Sequence, residues 1–137
     1  MTNTQKKQGK YYIPYFTHVE LACKDTGKVL LANGFADKLA ELRATYNKPM
    51  IVNSCCRSFK YNRKIGGTKG SFHVYDKPYY PTGGTCAIDI HMPNSKNKGD
   101  LIAIAWSLGW SIGIYRNFLH LDRRSDYTDL QQIVFAY

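Results

Sequence analysis

Cys86-Ala87-Ile88-Asp89-Ile90 and Phe118-Leu119-His120-Leu121-Asp122 are the two stretches on which the fold turns. Both alternate apolar residues with others, the period of a strand that has one face in a core. In the second run Leu119 and Leu121 oppose His120 and Asp122; in the first, Asp89 shares a face with His91. Upstream, Ser71-Phe72-His73 supplies another imidazole. His73, Asp89 and His120 are therefore three metal-type donors at or beside strands, and three protein ligands leave the fourth tetrahedral position to water, as a catalytic zinc requires. Such a trio also arises in proteins that bind no metal, so spacing alone leaves metal binding open.

Working outward, Ser111 to Tyr115 reads as the antiparallel partner of Phe118 to Arg123, with the turn at Arg116-Asn117. Asp100 is expected to cap a helix over Leu101 to Leu108, with Ile102, Ala105 and Trp106 on its buried side and Gly109 at its end. Asn33 is expected to cap the clearest helix, because Phe35, Leu39, Leu42 and Tyr46 share one face. That helix ends near Asn47, since Pro49 disfavours helical geometry in the residue before it. Met50 to Ser54 reads as a short buried strand, and Arg57 to Gly70 as a basic loop with one helical turn near Tyr61. Tyr75 to Gly84 is a second loop, punctuated by Pro78, Pro81 and Gly83-Gly84. Tyr11 to Phe16, an aromatic run broken by Pro14, reads as extended or edge chain, and Leu130 to Tyr137 is apolar enough to dock.

A chain of 137 residues is one domain by length: residues 11–137, behind a polar leader over 1–10. No stretch is long and apolar enough to span a bilayer, so no membrane insertion is expected. Met1 to Lys10 lacks the apolar segment of a secretory signal, which predicts a chain that stays in the cytoplasm of the producing cell. Cys23, Cys55, Cys56 and Cys86 read as reduced thiols, and no Cys-x-x-Cys pair supports a thiolate zinc site. The net charge of +9, with pI near 9.4, predicts attraction to an anionic polymer, whether nucleic acid or a bacterial cell wall. No nucleic-acid recognition motif accompanies that charge.

Taken in order, several motifs resemble those of a known family. They are a helix ending in a proline-containing turn, Ser54-Cys55-Cys56-Arg57-Ser58, Asn62 with Gly66-Gly67, Ser71-Phe72-His73, Ala87-Ile88-Asp89-Ile90, and Gly113-Ile114-Tyr115 before Phe118 to Arg124. The family is that of the zinc peptidases that include D-alanyl-D-alanine carboxypeptidases and phage endolysin peptidases, which share a hedgehog-type fold. The resemblance spans about Phe35 to Arg124. It implies an α+β domain with a central antiparallel sheet and flanking helices, and zinc held by His73, Asp89 and His120. Arg57 would steady the developing oxyanion or a substrate carboxylate, for which a forked, permanently charged guanidinium is suited, and Ser71 would orient substrate.

The pattern is departed from in four places. Cys55-Cys56 stand where the family has glycine and aromatic residues, and Thr85 stands where it has a glycine. Val74 to Ile88 is a longer connection than the family's, and a loop absorbs added length at modest entropic cost; it is long enough to lie over the cleft. Relatives often place a glutamate shortly before the last histidine, but the position three before His120 is Asn117. Asp122 is then assigned either as general base or as a partner that orients a ligand, with Asp76 and His91 in reserve, His91 also as a replacement ligand. The activity implied is hydrolysis of an amide bond in peptidoglycan stem peptides, by a monomer acting after release from the producing cell or carried in a virion. A non-catalytic wall-binding or structural module of the same fold is the alternative.

Overall fold

The computed structural model describes residues 5–7, 10–77 and 81–136. Strands β1 (Gln5–Lys7) and β2 (Lys10–Tyr12) pair antiparallel, so part of the expected leader forms a hairpin, while residues 1–4 and 8–9 lie outside the described residues. There follow helices α1 (His18–Leu21) and α2 (Phe35–Tyr46), strand β3 (Ile51–Ser54), helix α3 (Phe59–Lys64) and strand β4 (Ala87–His91). Helix α4 (Ser95–Ser107), strands β5 (Ser111–Ile114) and β6 (Phe118–Asp122), helix α5 (Arg124–Tyr127) and strand β7 (Val134–Ala136) complete the chain.

Among the described residues the main sheet has the order β3-β4-β6-β5-β7. The alternation read from the sequence sets its register. Ile88 faces Leu121 and Ile90 faces Leu119, while Asp89 faces His120, so one face is apolar and the other carries the polar groups. The apolar face joins Phe35, Leu39 and Leu42 of α2 and Leu101 and Ala105 of α4 in one buried cluster, with the Trp110 and Phe35 rings edge to face at 5.6 Å. Each of the Leu and Phe side chains contributes roughly 1.5–3 kcal/mol on burial. The domain is α+β, as expected, and no described helix is long and apolar enough to cross a membrane.

Several expectations are corrected. The sheet is mixed, because β7 runs parallel to β5 after α5 turns the chain back. Strand β3 pairs only with β4 and is an edge, with Ile51 64% exposed. Gly34, at φ +84°, precedes α2 in place of Asn33, whose carbonyl accepts a hydrogen bond from the Tyr127 hydroxyl at 2.7 Å. Helix α4 starts six residues before Leu101: the Asn94 side chain caps it by accepting from Asn97 N, and Asp100 lies within it, bonded to Lys96. Its polar first turns carry no apolar period, which is why that start is hidden in the sequence. Trp106 on α4 is 44% exposed rather than buried. The turn near Tyr61 extends to the six residues of α3, capped by Ser58.

The long connection after His73 is closed off at its base. Thr85 pairs with Leu31 in a parallel bridge, its N–H donating to Leu30 O and its carbonyl accepting from Ala32 N. Its hydroxyl donates to His73 O at 2.7 Å. Gly84, at φ +149°, packs so tightly here that a Cβ would lie 2.5 Å from both Ala32 N and Leu31 C. Only glycine meets both demands. Gly84→Ala is therefore expected to destabilise the protein by roughly 2–4 kcal/mol, visible as a lowered denaturation midpoint, whereas Gly83→Ala, with nothing within 4 Å of the added carbon, should cost less.

Candidate metal centre

Asp89 sits in the middle of β4, directly opposite His120 of β6. His73 comes from a turn held on three sides: its carbonyl accepts from Arg57 N and from Thr85 Oγ1, and the neighbouring Phe72 carbonyl accepts from Cys86 N. The outcome is a cluster in which His73 Nε2 and His120 Nδ1 each lie 3.0 Å from Asp89 Oδ1. The ligand atoms of the three residues lie within 4.8 Å of one another. All three residues are largely buried, His73 at 2% and Asp89 at 7% exposure.

The other nitrogen of each imidazole is already assigned. His73 Nδ1–H donates to the Cys55 carbonyl at 2.7 Å, an acceptor that fixes the tautomer. His120 Nε2–H donates to Asp122 Oδ2 at 2.8 Å. The remaining nitrogens, His73 Nε2 and His120 Nδ1, therefore both face Asp89 Oδ1, a convergence that needs a proton or a cation between donors and carboxylate. Nitrogen and carboxylate donors with three protein ligands suit zinc, so the residues present fit the metal.

The titration of the cluster follows from its burial and its neighbours. Burial opposes charging of His73 and lowers its pKa despite Asp89 beside it. Burial also opposes charging of His120, but its hydrogen bonds to Asp122 and Asp89 outweigh that and lift its pKa to about 9. For Asp89, burial is overcome by the two histidines, which hold its pKa well below the usual carboxylate range. Asp122 is likewise held at about 2 by His120 and Arg124 in spite of burial.

Around the triad a cleft of about 550 Å³ is lined by Arg57 and Ser71 on one side and by Tyr115, Phe118, Arg124 and Phe135 among others. Arg57 is anchored by all three nitrogens: Nε to Ser54 Oγ at 3.0 Å, Nη1 to Asn62 Oδ1 at 3.1 Å and Nη2 to Asp89 Oδ2 at 3.3 Å. Ser71 Oγ accepts from His73 N. Asp122 does not line the cleft; it is fully buried behind His120. His91 is exposed and outside the cluster, because the strand carries it past the triad toward the sheet's end. Asp76 accepts from Phe59 N at the start of α3. None of the described residues of the 74–88 connection lines the cleft, and residues 78–80 lie outside the described residues. The four cysteines are buried free thiols.

Sequence reasoning did not find Arg124, Phe135 or the stacked pair of Tyr115 and Phe118, whose rings lie 4.3 Å apart. The aromatic pair flanks the hairpin turn and was recoverable from it. Phe135 was not: it fills the space that Gly113 leaves over His120, where a Cβ would fall 2.5 Å from its ring, and only the β5–β7 pairing brings them together.

Donors whose far sides are already committed converge at the base of an open cleft in an α+β domain and form a group that could hold a metal ion. The sequence profile of the family described as Peptidase M15 matches residues 7–122, and the chain belongs to that family of metallopeptidases. Among curated proteins, no sequence matches it significantly.

Two substitutions test the centre. His120→Ala should abolish stoichiometric zinc binding. Asp122→Asn should weaken zinc affinity about 10- to 100-fold, the usual loss when a partner that orients a ligand is removed. Both are read by competition against a chromogenic chelator, with circular dichroism to confirm folding. An unchanged affinity in folded Asp122→Asn would show that Asp122 does not orient the ligand.

Proposed function

We propose that this protein is a zinc peptidase that hydrolyses an amide bond in peptidoglycan stem peptides, acting on the wall after release from the producing cell or from within a virion. The observation that carries the reading is the fixed orientation of the two rings: His73 Nδ1–H donates to Cys55 O and His120 Nε2–H to Asp122, which leaves His73 Nε2 and His120 Nδ1 facing one point beside Asp89. The family supports peptidase chemistry. The net charge of +9 supports an anionic polymer such as the bacterial wall as the place of work.

Bound by His73, Asp89 and His120, zinc would supply a Lewis acid that polarises the scissile carbonyl and lowers the pKa of water. The chain's own residues do the rest. Arg57, braced by Ser54 and Asn62, presents fixed positive charge beside Asp89, where a developing oxyanion or a substrate carboxylate would be stabilised without reorganisation. Ser71 places a hydroxyl on the cleft wall to orient the peptide. Asp122 keeps the proton on His120 Nε2. Because both of its oxygens are engaged by His120 and Arg124, it is a positioning residue rather than the acceptor of a proton from the cleft.

One observation favours a second reading, a non-catalytic wall-binding module: Asp89 is the only carboxylate lining the cleft among the described residues. Purified cell walls separate the two. The peptidase reading expects zinc-loaded protein to clear a wall suspension, chelator to stop clearing, added zinc to restore it, and His120→Ala to be inert. Co-sedimentation without clearing would instead establish the binding module, and full clearing by zinc-free His120→Ala would exclude metal-assisted hydrolysis. Mass spectrometry of the released fragments then identifies the bond.

A further inference from the structure

Arg57 and Arg124 stand at the two ends of one hydrogen-bonded series, Arg57–Asp89–His120–Asp122–Arg124, with successive separations of 3.3, 3.0, 2.8 and 2.7 Å. Their bonding differs. Every nitrogen of the Arg57 guanidinium already donates to a protein oxygen. Arg124 is held along one edge only, with Nε donating to Asp122 Oδ1 at 3.0 Å and Nη2 to Asp122 Oδ2 at 2.7 Å. Its Nη1 has no hydrogen-bond partner among the described residues. The side chain is 15% exposed, and its Cζ lies 4.9 Å from the Phe72 ring centre and 5.8 Å from that of Phe135. Arg124 lines the cleft, so this second edge of the guanidinium is open to an acceptor on a ligand, and its N–H geometry matches a carboxylate.

The charge of the cleft points the same way. Arg57 and Arg124 balance Asp89 and Asp122, so a bound zinc leaves the site net positive, and an anionic group on the ligand is favoured. A guanidinium immobilised by a carboxylate fork and two rings gives up little further entropy on binding a second carboxylate.

We propose that Arg124 is a specificity-determining residue that binds a substrate carboxylate through Nη1, so that the cleft selects peptides carrying an acidic group near the scissile amide. The inference rests on the peptidase reading above. Two sources offer that carboxylate: the C-terminus of the peptide or an acidic side group within it.

The test uses zinc-loaded protein and the peptide L-Ala-D-isoGlu-L-Lys-D-Ala-D-Ala, with two analogues that convert a single carboxylate to the amide, one at the isoglutamate and one at the C-terminus. For wild type, one amide should lose about ten- to a hundredfold in kcat/KM and in calorimetric affinity, and which amide does so names the source. Arg124→Gln should bring that acid-to-amide ratio to about one. Arg124→Lys, which keeps a cation beside Asp122, should retain part of it. A ratio of about one for both amides in wild type would overturn the proposal even if the variants misfold. So would a ratio that survives in Arg124→Gln while all three peptides weaken together, since that is the behaviour of a mere prop for Asp122. Binding separates this inference from the peptidase reading: acid preference in affinity, lost in Arg124→Gln but without cleavage of any peptide, keeps the carboxylate subsite and discards the peptidase. Cleavage without acid preference does the reverse, and no binding of any peptide overturns the subsite.

Discussion

A carboxylate in the middle of a buried strand is the constraint to which the site is built. Asp89 lies on β4, with neighbouring strands on both sides, and an unpaired charge there would cost several kcal/mol. Its two oxygens divide the work: Oδ1 receives the imidazoles of His73 and His120, and Oδ2 receives Arg57. Each of those partners is in turn held by a group with no other task in the cleft, namely Cys55 O for His73, Asp122 for His120, and Ser54 with Asn62 for Arg57. The geometry is therefore set from behind, by bonds that point away from the substrate. The same logic extends to Gly67, which has no space for a Cβ beside Asn62.

Much of this was legible in the sequence, and the reason is periodicity. Alternation located β4 and β6 and put His120 and Asp122 on one face; helical spacing located α2, whose Phe35, Leu39, Leu42 and Tyr46 are all buried. The order of the motifs supplied the three donors, which the fold brings together. What alternation cannot convey is depth. Asp122 shares a face with His120, yet it lies behind the imidazole rather than beside the cleft. Arg124 was unreadable for a related reason: a basic residue at the start of a four-residue helix looks like surface until its fork to a buried carboxylate is seen. Strand β7 escaped because three residues are too few to show a period.

The connection between His73 and Asp89 is fastened at both ends. At its start Tyr75 N donates to Arg57 O, and near its end Thr85 Oγ1 donates to His73 O. At the near end Lys77 is buried, its Nζ donating to Gly70 O at 3.3 Å and lying 3.7 Å from the Phe72 ring centre. That ring also faces Arg124, so the connection touches the cleft indirectly, through the back of its aromatic wall. Burial lowers the pKa of Lys77 to about 8, a sign of how little solvent reaches the joint.

The sheet order carries a consequence for how the protein comes into being. Strands β4 and β6 are neighbours in space, but α4 and β5 separate them in the chain, and Asp89 and His120 meet across 31 positions. Closing a loop of that length precedes any reward from the contact, so a pairing of high contact order forms late and cooperatively. The donors do not converge in any shorter local unit, and a folding intermediate with only α2 or the β5–β6 hairpin in place has no centre to load. Metal capture is thus tied to completion of the sheet, and the free energy of binding adds to the stability of the finished fold rather than to any of its parts.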